Sequence, residues 1–223
     1  MGQYFKAVFL SENNKPVNFV YSHDFGSGLK LMEHFWMRND FVRFVEKQLI
    51  DNPKKIVWAG DYADNENPET ITEQEINFLA DEKSDYWNSE KLRKEGVNIY
   101  SLCETVSKLT HNEDVKDKYT HEFSERTIAP LKLKYLINYD KQEYVDKSKV
   151  PADKDGWKIH PLPLLTCEGN DRGGGDFRVD ENANQGNVEL IGSWARNKIG
   201  VAFKKTDIPK GFKEVKFDLV ERI

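Results

Sequence analysis

Two β-hairpin patterns, one toward each end of the 223-residue chain, set the first limit on its fold. Residues 4–10 and 17–21 are rich in β-branched and aromatic residues, and Ser11–Pro16 between them is turn-forming. Residues 131–139 and 143–145 flank a second turn in the same way. Helical patterns lie between the two hairpins. This segregation predicts an α+β fold with a mainly antiparallel sheet, because a parallel α/β fold would alternate strands with helices.

The most regular helical spacing follows residue 39. Four apolar residues recur there at helical intervals: Phe41, Phe44, Val45 and Leu49. Asn39 or Asp40 can cap this segment, and Asp51-Asn52-Pro53 ends it. The segment therefore predicts an amphipathic helix that packs on the sheet.

Three other segments also predict helices. Residues 29–37 contain a short helical pattern. Thr72 and Glu75 have the spacing of a capping box ahead of an apolar helical face. Ser89–Glu95 precedes Gly96, which is a typical helix stop.

The remaining apolar runs predict strands or extended chain. Residues 55–58 and 97–102 each predict a short strand, and Pro161–Leu165 is expected to be extended. Residues 190–194 and 199–203 predict another hairpin, and residues 212–220 a final strand. The polar segment 107–125 supports no assignment.

The two terminal hairpins also resemble each other. Each is followed by a Trp-Ala pair, Trp58-Ala59 in the first case and Trp194-Ala195 in the second. This echo suggests an internal duplication, of residues 4–62 and 135–200, within a single α+β domain that spans 1–223. The alternative is that hairpins resemble one another and that the pair recurs by chance.

Composition excludes several classes of protein. Thirteen Phe, nine Tyr and five Trp indicate a folded chain, since large apolar side chains offset the entropy of folding. A net charge of −5 argues against general nucleic-acid binding. Two cysteines are too few for a disulfide framework, and they lack zinc-site spacing. The first residues lack a signal-peptide pattern, and no run approaches the ~18 apolar residues of a membrane span. We expect a soluble cytoplasmic protein with neither a cofactor nor a bound metal.

The strongest local motif is a glycine-rich loop that begins at Gly169. Its core is Arg172-Gly173-Gly174-Gly175-Asp176. Three successive glycines let backbone N–H groups converge on an anion, and Arg172 adds a guanidinium that can hold phosphate or carboxylate. Trp194 would supply an apolar wall. The alternatives are that the loop only reverses the chain and that Trp58 and Trp194 are core residues.

Three further groups carry weaker signals. His23 and Asp24 lie in a turn, where they would contact a ligand or cap the next turn. The acidic residues of the loop after residue 60 suit Mg²⁺ or Ca²⁺, although a solvated loop is the simpler interpretation. Cys167 lies seven residues after His160, which allows a thiol nucleophile or, more simply, a small core residue.

Several of these segments together resemble a group of bacterial and phage proteins. The resemblance rests on Met1-Gly2-Gln3-Tyr4, on the Arg172–Asp176 motif and on Gly192-Ser193-Trp194-Ala195, with related stretches at 28–33, 55–64 and 157–168. The function of that group has not been assigned, so the resemblance implies no fold, cofactor or catalytic residue. It implies only a bacterial or phage setting, in which small accessory and anti-defence proteins occur.

Three functional hypotheses follow. The first is a small accessory protein that sequesters or senses an anionic small molecule, such as a nucleotide, at the glycine-rich loop. The second is a protein-interaction or inhibitor module whose acidic surface meets a basic partner. The third is a metal-assisted or cysteine hydrolase, which ranks last because no complete catalytic set can be assembled from the sequence.

Overall fold

The computed structural model describes residues 3–82, 87–110, 132–169 and 188–220. Within these ranges, eight strands form one mixed, mostly antiparallel sheet in the order β2-β1-β3-β7-β4-β5-β8, with β6 beside β3. The strands are β1 (Phe5–Leu10), β2 (Pro16–Tyr21), β3 (Lys54–Gly60), β4 (Tyr135–Asn138), β5 (Glu143–Asp146), β6 (Cys167–Glu168), β7 (Lys198–Ala202) and β8 (Lys213–Glu214). The helices of the described residues are α1 (Leu31–His34), α2 (Asp40–Gln48), α3 (Glu73–Glu82), α4 (Ser89–Glu95), α5 (Ile99–Thr110) and α6 (Pro161–Thr166). The predicted α+β class is confirmed.

Both predicted terminal hairpins form, and turn residues fix each of them. In the first, the Ser11 N–H donates to the Lys15 carbonyl at 2.8 Å, and Asn14 adopts a φ of 61°. In the second, the Asn138 side-chain oxygen accepts from the backbone N–H groups of Asp140 and Lys141 at 3.1 and 3.0 Å. These are local interactions, which explains why the sequence pattern alone predicts the hairpins.

Strand β3 lies at the centre of the sheet and has neighbours on both edges. Strand β1 pairs antiparallel along one edge. The other edge is shared: β7 pairs antiparallel with residues 54 and 55, and β6 pairs parallel with residues 58 and 59. Because β3 and β6 run in the same direction, their carboxyl ends lie together at one edge of the sheet.

Helices cover both faces of β3. The larger core cluster joins residues of α2 and α6 to the face that carries Phe5, Ile56 and Trp58. The Asn39 side chain caps α2 by accepting from the Val42 N–H at 3.3 Å, as its position in the sequence predicts. Helix α5 packs on the opposite face, against Val8 and Val57. In the described part of the chain, no helix has the length and apolar character needed to cross a membrane.

Helices α3 and α4 form as predicted and build a smaller cluster with α5. Thr72 and Glu75 make the reciprocal hydrogen bonds of a capping box, at 2.7 and 3.3 Å. Gly96 ends α4 with a φ of 70°, and a Cβ atom there would lie 2.0 Å from the carbonyl oxygen of Glu66. A glycine is therefore required at this position both for its backbone angles and for space.

The expectation of extended chain at Pro161–Leu165 is wrong, because these residues begin helix α6. The two prolines occupy the first turn, where a missing backbone N–H costs nothing. His160 caps the helix by accepting from the Leu162 N–H at 3.2 Å. The helix is fully buried, so its apolar residues resemble those of a buried strand.

Three predicted strands are also corrected by the structure. Residues 97–102 enter helix α5, whose packing on the sheet overrides their β propensity. Residues 190–194 form turns beside α6 rather than a strand. The final strand shrinks to Lys213–Glu214, which pairs with β5.

The strand order has an internal symmetry. From one edge of the sheet the order is β2-β1-β3. From the other edge, once the short outer strand β8 is set aside, the order is β5-β4-β7, and β3 and β7 pair antiparallel at the centre. Trp58 lies within β3 opposite Ala7, whereas Trp194 precedes β7 and lies in no strand. The duplication of 4–62 and 135–200 stays a prediction, which a superposition of the two segments tests.

Candidate functional site

A cleft opens beside the carboxyl ends of β3 and β6. Its volume is about 960 Å³. Three segments line it: the loop 63–67 that follows β3, residues 167–169 at the end of β6, and the turn residues 189–196. Small-molecule sites are clefts of about this size, so this cleft is a candidate binding site.

The turn that closes one side of the cleft is held by backbone contacts. The N–H groups of Gly192 and Trp194 donate to the carbonyls of Leu164 and Leu165, at 2.7 and 2.6 Å. Gly192 has a φ of 70°, and a Cβ atom there would lie 2.7 Å from the Cys167 carbonyl oxygen. Only glycine permits both the backbone angle and this close approach, so the turn sits against β6 in a fixed position.

Arg196 joins two walls of the cleft through paired carboxylates. Its Nε and Nη2 donate to the two oxygens of Glu168, both at 2.7 Å. Its Nη1 and Nη2 donate to the two oxygens of Glu66, at 3.0 and 2.5 Å. The loop after β3 is thereby tied to the end of β6 by two bidentate ion pairs, the strongest geometry available to a guanidinium.

The two carboxylates also determine the charge state of Arg196. Burial alone would lower the pKa of this guanidinium, but the hydrogen bonds and charges of Glu66 and Glu168 raise its pKa above the ordinary value. Arg196 is therefore a permanent cation. Four of its five N–H groups are used, which leaves little capacity to hold an anion.

The described lining is acidic, and one of its residues has a buried hydroxyl without a partner. Its charged groups are the guanidinium of Arg196 and four carboxylates, those of Asp64, Glu66, Glu168 and Glu189. The Oγ atom of Ser193 is buried and has no hydrogen-bond partner in the described ranges. Buried polar atoms in folded proteins are nearly always paired, so this hydroxyl is an exception that calls for a partner.

Most of the predicted loop falls outside the described residues. This applies to Arg172, Gly173, Gly174, Gly175 and Asp176. Gly169, where the motif begins, is described and is a wall residue of the cleft. The chain therefore enters the glycine-rich segment directly from the cleft.

Trp194 lies in the core rather than in the cleft wall. It is 1% exposed, and its Nε1 donates to Glu143 at 2.9 Å. Its neighbours Ser193 and Ala195 line the cleft instead. The position of Trp194 fits the alternative of a core residue, which also describes the fully buried Trp58.

His23 and Asp24 lie in a short 3₁₀ turn after β2 and are not among the lining residues of the cleft. His23 Nε2 is 3.4 Å from Asp24 Oδ1, and the His23 ring stacks beside Tyr21 with centroids 4.6 Å apart. Both side chains are substantially exposed. The structure brings the pair together without joining it to the cleft.

The structure gives little support to a nucleophilic Cys167 or to a metal site in the acidic loop after β3. Cys167 donates to the Leu164 carbonyl, and burial raises its pKa to about 12, so its thiol stays protonated. The His160 ring instead contacts the Glu46 carboxylate at 3.2 Å and caps α6. Among the described residues, no cluster of three or more His, Cys, Asp or Glu side chains is arranged to hold a metal ion.

Sequence reasoning missed two features of the cleft, the paired guanidinium of Arg196 and the buried hydroxyl of Ser193. Arg196 was expected only as part of a hairpin turn, yet it pairs with Glu66, which lies 130 positions earlier. Ser193 belongs to a segment that predicted a strand. No local pattern indicates either role, because both depend on the fold bringing distant segments together.

Comparisons with known proteins give no further assignment. No family model, no curated protein and no solved structure matches this chain. The resemblance to bacterial and phage proteins therefore stays an expectation from the sequence.

Proposed function

We propose that the protein binds a phosphate-bearing small molecule, such as a nucleotide, in the cleft beside β3 and β6. The observation that carries this proposal is the position of Gly169, a wall residue that leads directly into the Arg172–Asp176 motif. The cleft volume of about 960 Å³ matches the upper range of small-molecule sites. Binding without catalysis would let the protein sequester or sense its ligand.

The chemistry of the motif favours the phosphate end of such a ligand. Consecutive glycines allow several backbone N–H groups to point at one anion, and the guanidinium of Arg172 remains charged at any physiological pH. Arg196 does not take this role, because two carboxylates already engage it. Arg172 is therefore the residue on which phosphate binding depends.

The test is a thermal-shift screen of nucleotides, sugar phosphates and dicarboxylates with the wild type and Arg172→Ala. We expect at least one phosphate compound to raise the melting temperature of the wild type, because a ligand that binds only the folded state stabilises it. Arg172→Ala should remove that shift. The melting temperature without ligand should change little, since loop arginines contribute little to stability.

Arg38→Ala is the matched control, because it removes the same charge from an exposed residue outside the cleft lining. It should retain the full ligand-induced shift. If no compound stabilises the wild type more than Arg172→Ala, the binding proposal is wrong.

A second candidate function is a protein-interaction module, and an exposed tryptophan favours it. Trp157 is 58% exposed, and its ring packs at an angle of 60° against that of Trp36, with ring centroids 5.8 Å apart. Exposed tryptophans are enriched at protein interfaces. Native mass spectrometry of the protein purified from its host separates the candidates: a small molecule that co-purifies supports the first, and a stoichiometric protein supports the second.

A further inference from the structure

Two prolines make one backbone donor critical at the start of helix α6. Pro161 and Pro163 have no backbone N–H, so Leu162 carries the only such donor in the first three residues of the helix. Leu162 is fully buried, so water cannot satisfy this group. His160 satisfies it, because its Nδ1 accepts from the Leu162 N–H at 3.2 Å. The start of α6 therefore depends on one lone pair of one imidazole ring.

The contacts of the His160 ring fix the position of its proton. Because Nδ1 accepts a hydrogen bond, it carries no hydrogen, and the neutral ring must carry its proton on Nε2. Nε2 lies 3.2 Å from Glu46 Oε1, within reach to donate to that carboxylate. A second proton would have to bind Nδ1, where it would face the Leu162 N–H. A charged His160 ring therefore cannot cap α6.

Among the described residues, two charged groups face this ring and act on it in opposite directions. Glu46, from α2, favours a charged imidazole, whereas Lys147, from the 3₁₀ turn after β5, disfavours it with its Nζ 3.3 Å from Nε2. Lys147 also pairs with Glu46. From α1, His34 turns its ring to Trp58 instead. Burial has the largest effect and lowers the pKa of His160 below its ordinary value, so the ring is neutral at neutral pH.

Helix α6 also holds the turn that closes one side of the cleft. The carbonyls of Leu164 and Leu165 accept from the N–H groups of Gly192 and Trp194, at 2.7 and 2.6 Å. Strand β6 follows α6 directly and carries Glu168, which lines the cleft. A shift of α6 would therefore move two walls of the cleft together.

We propose that His160 is a pH-sensitive switch for the cleft: when its ring takes up a second proton, α6 loses its cap and the turn at Gly192 and Trp194 loosens. The switch is closed at neutral pH and opens in mild acid. The opened ring binds a proton that the capping ring cannot, so each pH unit below about 6.5 favours the open state roughly tenfold. This inference goes beyond the proposed function and does not depend on it, because it involves no residue of the glycine-rich segment.

Amide hydrogen exchange of the wild type, measured by NMR at a series of pH values, tests the switch. The readout is the protection factor, which corrects for the intrinsic pH dependence of exchange. Below about pH 6.5, we expect the protection of the Leu162, Gly192 and Trp194 amides to fall roughly tenfold per pH unit. The amides of β1 and β3 report global unfolding and should stay better protected than these three throughout. Equal protection of both sets would mean that acid unfolds the whole protein, and it would overturn the switch.

His160→Asn separates the proton from the cap, because an asparagine side chain also caps a helix but does not titrate in this range. The Leu162, Gly192 and Trp194 amides of this variant should keep their protection below pH 6.5. His23→Gln is the matched control, since it removes an exposed histidine outside the cleft lining, and it should show the wild-type fall. A fall that persists in His160→Asn would overturn the inference.

The ring nitrogens of the wild type decide the matter if His160→Asn does not fold. Long-range proton–nitrogen NMR spectra at neutral pH should show His160 with a proton on Nε2 and none on Nδ1. A proton on Nδ1 at neutral pH, or amide protection that does not change with pH, would overturn the switch. The proposed function stands in either case, since ligands test it separately.

Discussion

His34 is a fully buried histidine whose two ring nitrogens are both committed. Trp58 Nε1 donates to its Nε2 at 2.9 Å, and its Nδ1 lies 2.9 Å from the Gly28 carbonyl oxygen. The ring is therefore neutral, with the proton on Nδ1, and a second proton on Nε2 would face the indole N–H. Burial lowers the pKa of His34 to about 4, although the bond to Gly28 opposes the shift.

This histidine should make the protein less stable in mild acid. The unfolded chain takes up a proton near pH 6.5, whereas the folded state resists protonation until about pH 4. The free energy of unfolding is therefore unaffected by His34 above pH 6.5, and it falls as the pH drops from 6.5 to about 4. The loss from His34 amounts to about 3 kcal/mol, at roughly 1.4 kcal/mol per pKa unit. Urea unfolding at a series of pH values measures it.

His34→Gln should flatten this dependence, because its side chain keeps hydrogen-bonding groups and does not titrate. Part of the slope should remain, since burial also lowers the pKa of His160. The exposed His23 supplies the control, and His23→Gln should follow the wild-type curve. A His34→Gln curve as steep as that of the wild type would contradict this account.

At the scale of elements, helix α2 depends on the apolar face that its sequence predicts. Phe44 is 2% exposed, and its ring lies 5.0 Å from that of Phe25. Phe44→Ala should lower the free energy of unfolding by about 3–5 kcal/mol, through lost burial and a cavity. Denaturant unfolding measures this, with the exposed Lys47→Ala on the same helix expected to change stability by less than about 0.5 kcal/mol. A loss below about 1 kcal/mol for Phe44→Ala would show that the face does not pack as described.

The elements that the sequence predicts correctly are those fixed by neighbours along the chain. The capping box at Thr72, the stop at Gly96 and the turn at Asn138 each depend on contacts within four residues. Helix α6 was missed as a helix because all of its residues are buried, which removes the polar face that distinguishes a helix. Helix α5 was missed because the residues where it begins, Ile99-Tyr100-Ser101-Leu102, continue an apolar run with β propensity. The cleft was missed for a related reason, since Glu66 and Arg196 meet only after the sheet has formed.

At the scale of the whole molecule, one core is shared between the two ends of the chain. The main cluster contains Phe5 and Trp58 from the first part, and Leu136, Leu165 and Trp194 from the second. Neither part can therefore exclude water from its apolar surface alone.

A chain cut between residues 120 and 121 tests this shared core. We expect each fragment alone to lack a cooperative unfolding transition, because half of its core is missing. An equimolar mixture should form a one-to-one complex with the circular dichroism spectrum of the intact protein, as measured after size-exclusion chromatography. Cooperative unfolding of either fragment by itself would show that the core is divided rather than shared.

One edge of β3 is shared by β6 and β7, and this has a consequence for synthesis on the ribosome. Its two partners on that edge, β6 and β7, lie more than a hundred residues later in the chain. While the middle of the chain is being made, the apolar residues Ile56, Val57 and Trp58 stand on a strand with one open edge. A strand with an unpaired edge and apolar side chains can pair with other chains and aggregate. The yield of folded protein should therefore depend on how fast the ribosome translates the segment between β3 and β7. It should also depend on chaperones that cover β3 until β6 and β7 have been made.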